Sequence, residues 1–138
     1  MQALKFNNQF TSELPGDRHD SPAERLISNA LFARVAPKKP ASPYLIHYSP
    51  EVAAEIGLDV SECAGKDFVD LFSGSKIMPG MDPHATCYGG HQFGNWAGQL
   101  GDGRAINLGE IDTEKGHFML QLKGAGPTPF SRNADGCA

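Results

Sequence analysis

Between Gly98 and Lys123 the sequence sets out residue types suited to holding an anion. Gly98-x-x-Gly101-x-Gly103-Arg104 removes side-chain bulk, so that backbone N–H groups can converge on a ligand oxygen. Arg104 adds a planar fork able to grip two oxygens, and Lys123 adds a compact point charge. The order of glycines matches neither G-x-G-x-x-G nor G-x-x-x-x-G-K-[ST], so a tight structural turn explains the spacing equally well. Asp102, between Gly101 and Gly103, would repel phosphate unless turned outward or bridged by Mg²⁺. His84-x-x-Cys87-x-x-x-His91 offers three candidate zinc ligands without a well-spaced fourth, and Cys87 with His91 is a weak candidate nucleophile pair. Phe93 and Trp96 either stack on a base or support the loop as buried aromatics, and the second is the expectation.

Those residues need elements to position them. Residues 104–110 read as a strand, 112–116 as a polar turn and 117–123 as a second strand. The alternation in that second strand puts Phe118, Leu120 and Leu122 on one face and Met119, Gln121 and Lys123 on the other. Gly124-Ala-Gly126-Pro-Thr-Pro129 closes it. Twelve of the 16 glycines lie at or beyond Gly80, so the backbone bends sharply or approaches something closely mainly in the second half.

The first half reads as scaffold. Residues 1–20 form an irregular opening segment. Ser21-Pro22-Ala23-Glu24 followed by Leu26, Ile27, Ala30 and Leu31 predicts a capped helix, halted by Pro37 and Pro40. Ser49-Pro50-Glu51 predicts a second helix ending at Gly57. A third is expected from Lys66 to Phe72, ending at Ser73-Gly74.

Composition narrows the function classes. The 138 residues carry a net charge of −4, with 12 basic against 16 acidic side chains. That leaves no basic footprint for nucleic acid. No apolar run approaches the ~18 residues of a membrane span. The start of the chain has neither a secretory nor a mitochondrial targeting pattern, and three cysteines at unrelated spacings suit reduced thiols in the cytoplasm.

A glycine-rich tract, a hairpin and a strand-end lysine together form the nucleotide-holding plan of a kinase-like N-terminal lobe. Two long blocks make the likeness specific: Ala85-Thr-Cys-Tyr-Gly-Gly-His-Gln-Phe-Gly-Asn-Trp-Ala-Gly-Gln-Leu-Gly-Asp-Gly-Arg-Ala105, and Leu120-Gln-Leu-Lys-Gly-Ala-Gly-Pro-Thr-Pro-Phe-Ser-Arg132 with Ala134-Asp-Gly136. Both closely resemble the hallmark of the selenoprotein O family, also called SelO or YdiU. Members have a protein-kinase-like fold and transfer AMP from ATP to protein hydroxyls.

The resemblance implies nucleotide contacts at Gly101, Gly103, Arg104, Lys123, Asp135 and Gly136, with ATP and Mg²⁺ as cofactors and proteins as substrates. It departs at Cys137, where the family usually has Arg after Asp-Gly, at Phe130, where Tyr is frequent, and at Asn133. The acidic partner of Lys123, the catalytic Asp and the Mg²⁺ ligands have no counterpart here. The general base and the metal ligands are expected beyond Ala138, so no residue of this sequence is assigned to catalysis or to metal.

The expectation is therefore an α+β chain, the N-terminal portion of a protein-kinase-like fold. Residues 1–79 would be a helical and irregular scaffold segment. Residues 80–138 would carry the glycine-rich loop and nucleotide-binding strands. The chain would be the ATP-binding part of a protein adenylyltransferase acting on Ser, Thr or Tyr, inactive alone. The alternative is a non-catalytic interaction fragment whose glycine turns are architectural.

Overall fold

A computed structural model describes residues 4–137. Ala138, the position beyond which the general base and the Mg²⁺ ligands are expected, lies outside the described residues. Along the chain run β1 (Lys5–Phe6), α1 (Gln9–Glu13), β2 (Phe32–Arg34), α2 (Pro50–Glu55), α3 (Val60–Cys63), α4 (Lys66–Phe72), β3 (His84–Gln92), β4 (Asn95–Gly101), β5 (Ala105–Thr113) and β6 (Gly116–Lys123). This is an α+β arrangement: a curled antiparallel sheet with a few short helices.

The helices follow their caps. Ser49 Oγ accepts the Val52 amide at 3.2 Å to start α2, and Gly57 at φ 79° ends that turn. Asp59 and Glu62 form a reciprocal capping box around α3. The stretch Lys66–Phe72 is helical as expected. Together α2–α4 turn Ala53, Ile56, Leu58, Cys63, Phe68 and Leu71 onto Leu108, Ile111 and Leu120 of the sheet.

Residues 21–31 are not helical. The Ser21 hydroxyl accepts the Ala23 amide in a local turn, and the Arg25 guanidinium donates to the carbonyls of His19, Ser21 and Ala23 at 2.6–3.0 Å. Arg25 also holds Asp17 Oδ2 through Nε and Nη2, at 2.9 and 2.7 Å. Carbonyls turned onto a side chain compete with a helix ladder, and Asn29 at φ 56° breaks it further. Leu26, one of the apolar residues that suggested the helix, is 85% exposed.

The sheet centres on β5, buried from Ala105 to Ile111. One edge of β5 pairs along its length with β6, from Ala105 opposite Lys123 to Thr113 opposite Gly116. Elsewhere β5 pairs β1 near Ile111 and β3 at Asn107. The two-faced reading of β6 holds: Leu120 is buried with Phe118 and Leu122 partly so, while Met119, Gln121 and Lys123 are exposed.

The tract read as a glycine-rich turn is largely a hairpin. β3 and β4 pair from Cys87 opposite Gly101 to Gln92 opposite Asn95, around a two-residue loop, Phe93-Gly94. Both loop residues have positive φ, 50° and 82°, matching the twist of the strands they join. Because β4 and β5 both run antiparallel to β3, they point the same way, and Asp102–Arg104 is the joint between them. Among the described residues no helix is long and apolar enough to cross a membrane.

Candidate anion-binding joint

The joint is held from two sides. On one, the Asp102 amide donates to Thr86 O at 2.9 Å, and the Asp102 carboxylate accepts from the Thr86 amide (3.1 Å) and hydroxyl. On the other, the turn after β6 tucks beneath. The hydroxyl of Thr128 donates to Asp102 O at 2.7 Å, and that of Ser131 donates to Gly103 O. Both glycines are needed for this approach. A Cβ on Gly101 would lie 2.4 Å from Phe130 Cγ, and one on Gly103 would lie 2.8 Å from Phe130 O.

The other sequence-selected residues reach the same place by backbone links. Lys123 ends β6 opposite Ala105, and the next amide, Gly124, donates to Arg104 O at 2.6 Å. Ala125 bridges Cys137, and the Gly126 amide donates to Gly136 O at 3.0 Å, which brings Asp135 and Gly136 alongside. Gly136 at φ 70° is packed so tightly that a Cβ would sit 2.1 Å from Gly126 O. The Asp135 carboxylate accepts the Cys137 amide at 3.0 Å. Gly101, Gly103, Arg104, Lys123, Asp135 and Gly136 therefore lie on three stitched segments. The side chains of Arg104 and Lys123 are exposed, and among the described residues neither forms a salt bridge. Beside Gly101, a cleft of about 520 Å³ runs past Tyr88, Leu100, Phe130 and Arg132.

The competing readings separate here. His84 is 1% exposed between Phe10, stacked at 5.4 Å, and Phe32, edge-on at 5.4 Å. Its Nδ1 donates to Asp82 O, and burial holds its pKa below the ordinary histidine value. Burial also pushes the Cys87 thiol up, away from the thiolate a nucleophile needs. His91 lies four residue steps along the strand from Cys87, roughly 13 Å, too far for a direct pair. Among the described residues no three His, Cys, Asp or Glu side chains gather to hold a metal.

The aromatics expected inside the loop are outside it: Phe93 is 102% exposed and Trp96 65%. The hairpin is two strands thick with glycines along it, so no interior exists for them. Trp96 lies instead across Gly89, near His91. Sequence reasoning missed Thr86, Thr128 and Ser131; the Thr-Pro-Phe-Ser run after a Gly-Pro turn was the available signal.

The family model described as protein adenylyltransferase SelO matches residues 18–138, which include the joint, Lys123 and Asp135-Gly136. The chain belongs to the SelO family. It is similar to the protein nucleotidyltransferase YdiU of Aromatoleum aromaticum, 54% identical over 143 residues. That alignment covers 100% of this chain and 27% of the relative. The protein of the same description from Flavobacterium johnsoniae is 53% identical over 138 residues, covering 100% and 26% respectively. The chain thus spans about a quarter of the length of these curated relatives.

Proposed function

We propose that this chain supplies the nucleotide-holding face of a protein adenylyltransferase that moves AMP from ATP to Ser, Thr or Tyr hydroxyls, within a kinase-like fold. Residues 80–138 carry that face, and residues 1–79 brace it. The observation behind the reading is the stitching of Gly101–Arg104, Lys123 and Asp135-Gly136 into one surface with two exposed cations. AMP transfer breaks the bond between the α- and β-phosphates, and negative charge builds on the departing pyrophosphate. Arg104 can hold two of its oxygens at once, and Lys123 can follow the charge as it moves.

The described residues do not fit a Mg²⁺ ion: Asp102 is tied to Thr86, Asp135 accepts the Cys137 amide, and no three His, Cys, Asp or Glu side chains gather to hold one. On this reading the chain alone holds ATP weakly at best and does not catalyse, since among the described residues none gather to hold a metal. Its three free thiols, Cys63, Cys87 and Cys137, suit a reducing cytoplasm.

ATP titration of the purified chain tests this. Each of Arg104→Ala and Lys123→Ala should weaken binding about tenfold or more, as expected for loss of one charge-assisted contact of roughly 1.5–3 kcal/mol. A folded chain that binds no ATP would make the glycine turns purely architectural. Incorporation of labelled AMP above the Lys123→Ala control would contradict the inactivity.

A further inference from the structure

We propose that Thr128 and Ser131 are positioning residues for the phosphate end of the nucleotide: their hydroxyls grip the carbonyls of Asp102 and Gly103, so that the following amides, of Gly103 and Arg104, face the ligand. This rests on the nucleotide reading above and deepens it.

The geometry follows from the peptide unit. In a trans peptide the C=O and the N–H that follows it point in opposite directions, and the described chain has no cis bond. Thr128 Oγ1 donates to Asp102 O at 2.7 Å, so the Gly103 N–H points away from Thr128. Ser131 Oγ donates to Gly103 O, so the Arg104 N–H points away from Ser131. Among the described residues neither amide donates to a backbone or side-chain acceptor. Two adjacent unpartnered N–H groups beside an exposed guanidinium make a small donor set for phosphate oxygens.

The grip is itself fixed. Ser131 Oγ accepts the Thr128 amide at 2.7 Å, Thr128 Oγ1 accepts the Phe130 amide at 3.2 Å, and the Ser131 amide donates to Thr128 O at 3.1 Å. With those acceptor positions filled, each hydroxyl hydrogen is left for its carbonyl. Thr128 is 1% exposed and Ser131 9%, so water does not compete well for either. Thr86 completes the device by binding the Asp102 carboxylate, which holds that negative charge off the donor set.

The test uses the full chain labelled with ¹⁵N, titrated with ATP, with tripolyphosphate and with adenosine. ATP and tripolyphosphate should move the Gly103 and Arg104 amide resonances, and adenosine should leave them in place. Thr128→Val and Ser131→Ala should each weaken tripolyphosphate and ATP at least fivefold without changing adenosine affinity. Thr128→Ser, which keeps the hydroxyl, should bind like the parent. A purely structural role would instead lower thermal stability and affect all three ligands alike. If Thr128→Val does not fold, Ser131→Ala and Thr128→Ser carry the comparison.

ATP binding that leaves both amides unmoved, or that survives loss of both hydroxyls, overturns the positioning role and leaves the nucleotide reading standing. A folded chain silent to ATP and to tripolyphosphate overturns both.

Discussion

Gly101→Ala tests whether the joint is as closely packed as it looks. The added methyl would sit 2.4 Å from Phe130 Cγ, 2.5 Å from Phe130 Cδ2 and 2.7 Å from Thr86 O. Carbon contacts settle near 3.5–4.0 Å, so ring and strand must part by about 1 Å. Phe130 lies between Thr128 and Ser131, so the same displacement pulls on both hydroxyl bonds to the joint. Overpacking of this kind costs about 1–3 kcal/mol. At about 2 kcal/mol and this chain length, the melting temperature should fall by roughly 6–8 °C. Phosphate affinity should fall with it.

The decisive comparison is a double-mutant cycle with Phe130→Ala. Removing the ring clears two of the three overlaps, so Gly101→Ala should cost at least ~1 kcal/mol less in that background. Rescue stays partial because Thr86 O is backbone. Calorimetry on the four proteins measures it, and additive costs would refute the packing argument.

The two histidines in opposite surroundings should give stability two distinct pH limbs. Buried His84 has a lowered folded pKa, so the unfolded chain takes up its proton first, and stability should fall with acid below about pH 6.5 by about 1.4 kcal/mol per pH unit at most. Urea midpoints between pH 7 and 5 should show this limb, and a folded His84→Phe should lack it. His117 lies between Asp112 Oδ1 (2.7 Å) and Glu110 Oε1 (3.0 Å), and its hydrogen bond to Asp112, then that to Glu110, raises its pKa. Its contribution is complete below about pH 6.5 and is lost as pH climbs through the raised value. His117→Ala should flatten the alkaline limb, and an unchanged limb would count against the bridge. Arg25→Lys should loosen the strap over residues 17–31, since an ammonium has three donors and no fork. Chymotrypsin should then cut faster after exposed Leu26, and equal cutting would show that the strap is held by other contacts.

Legibility from sequence followed the range of the forces involved. Lys66–Phe72, the Ser49 cap and the two faces of β6 were readable because their causes lie within a few residues. The helix expected after Ser21 carried an equally good local signal. It lost to one guanidinium, whose partner Asp17 stands 8 positions away and whose carbonyl contacts reach back to His19. β1 and β2 were invisible for a related reason. Two or three residues carry no periodicity, and their pairing with β5 and β3 is settled by distant chain. Among the candidate residues, types and positions could be read from sequence, but the orientation of the backbone between them could not.

Asp102 shows why orientation matters more than composition at such a site. An acid between two glycines argues against an anion as long as its carboxylate is free to face the ligand. Thr86, 16 positions earlier, takes the carboxylate from one side, while Thr128, 26 positions later, takes the same residue's carbonyl from the other. Once both are held, the residue presents neither its charge nor its carbonyl to the open side. On that reading the donor character of the joint comes from amides of Gly103 and Arg104 that any residue but proline would possess. Glycine at 101 and 103 is required for what it lacks, a Cβ that would keep Phe130 and its neighbours from closing underneath. On the proposed reading, the specificity of the surface is written in the Thr and Ser that aim the backbone, as much as in the Arg and Lys that carry the charge.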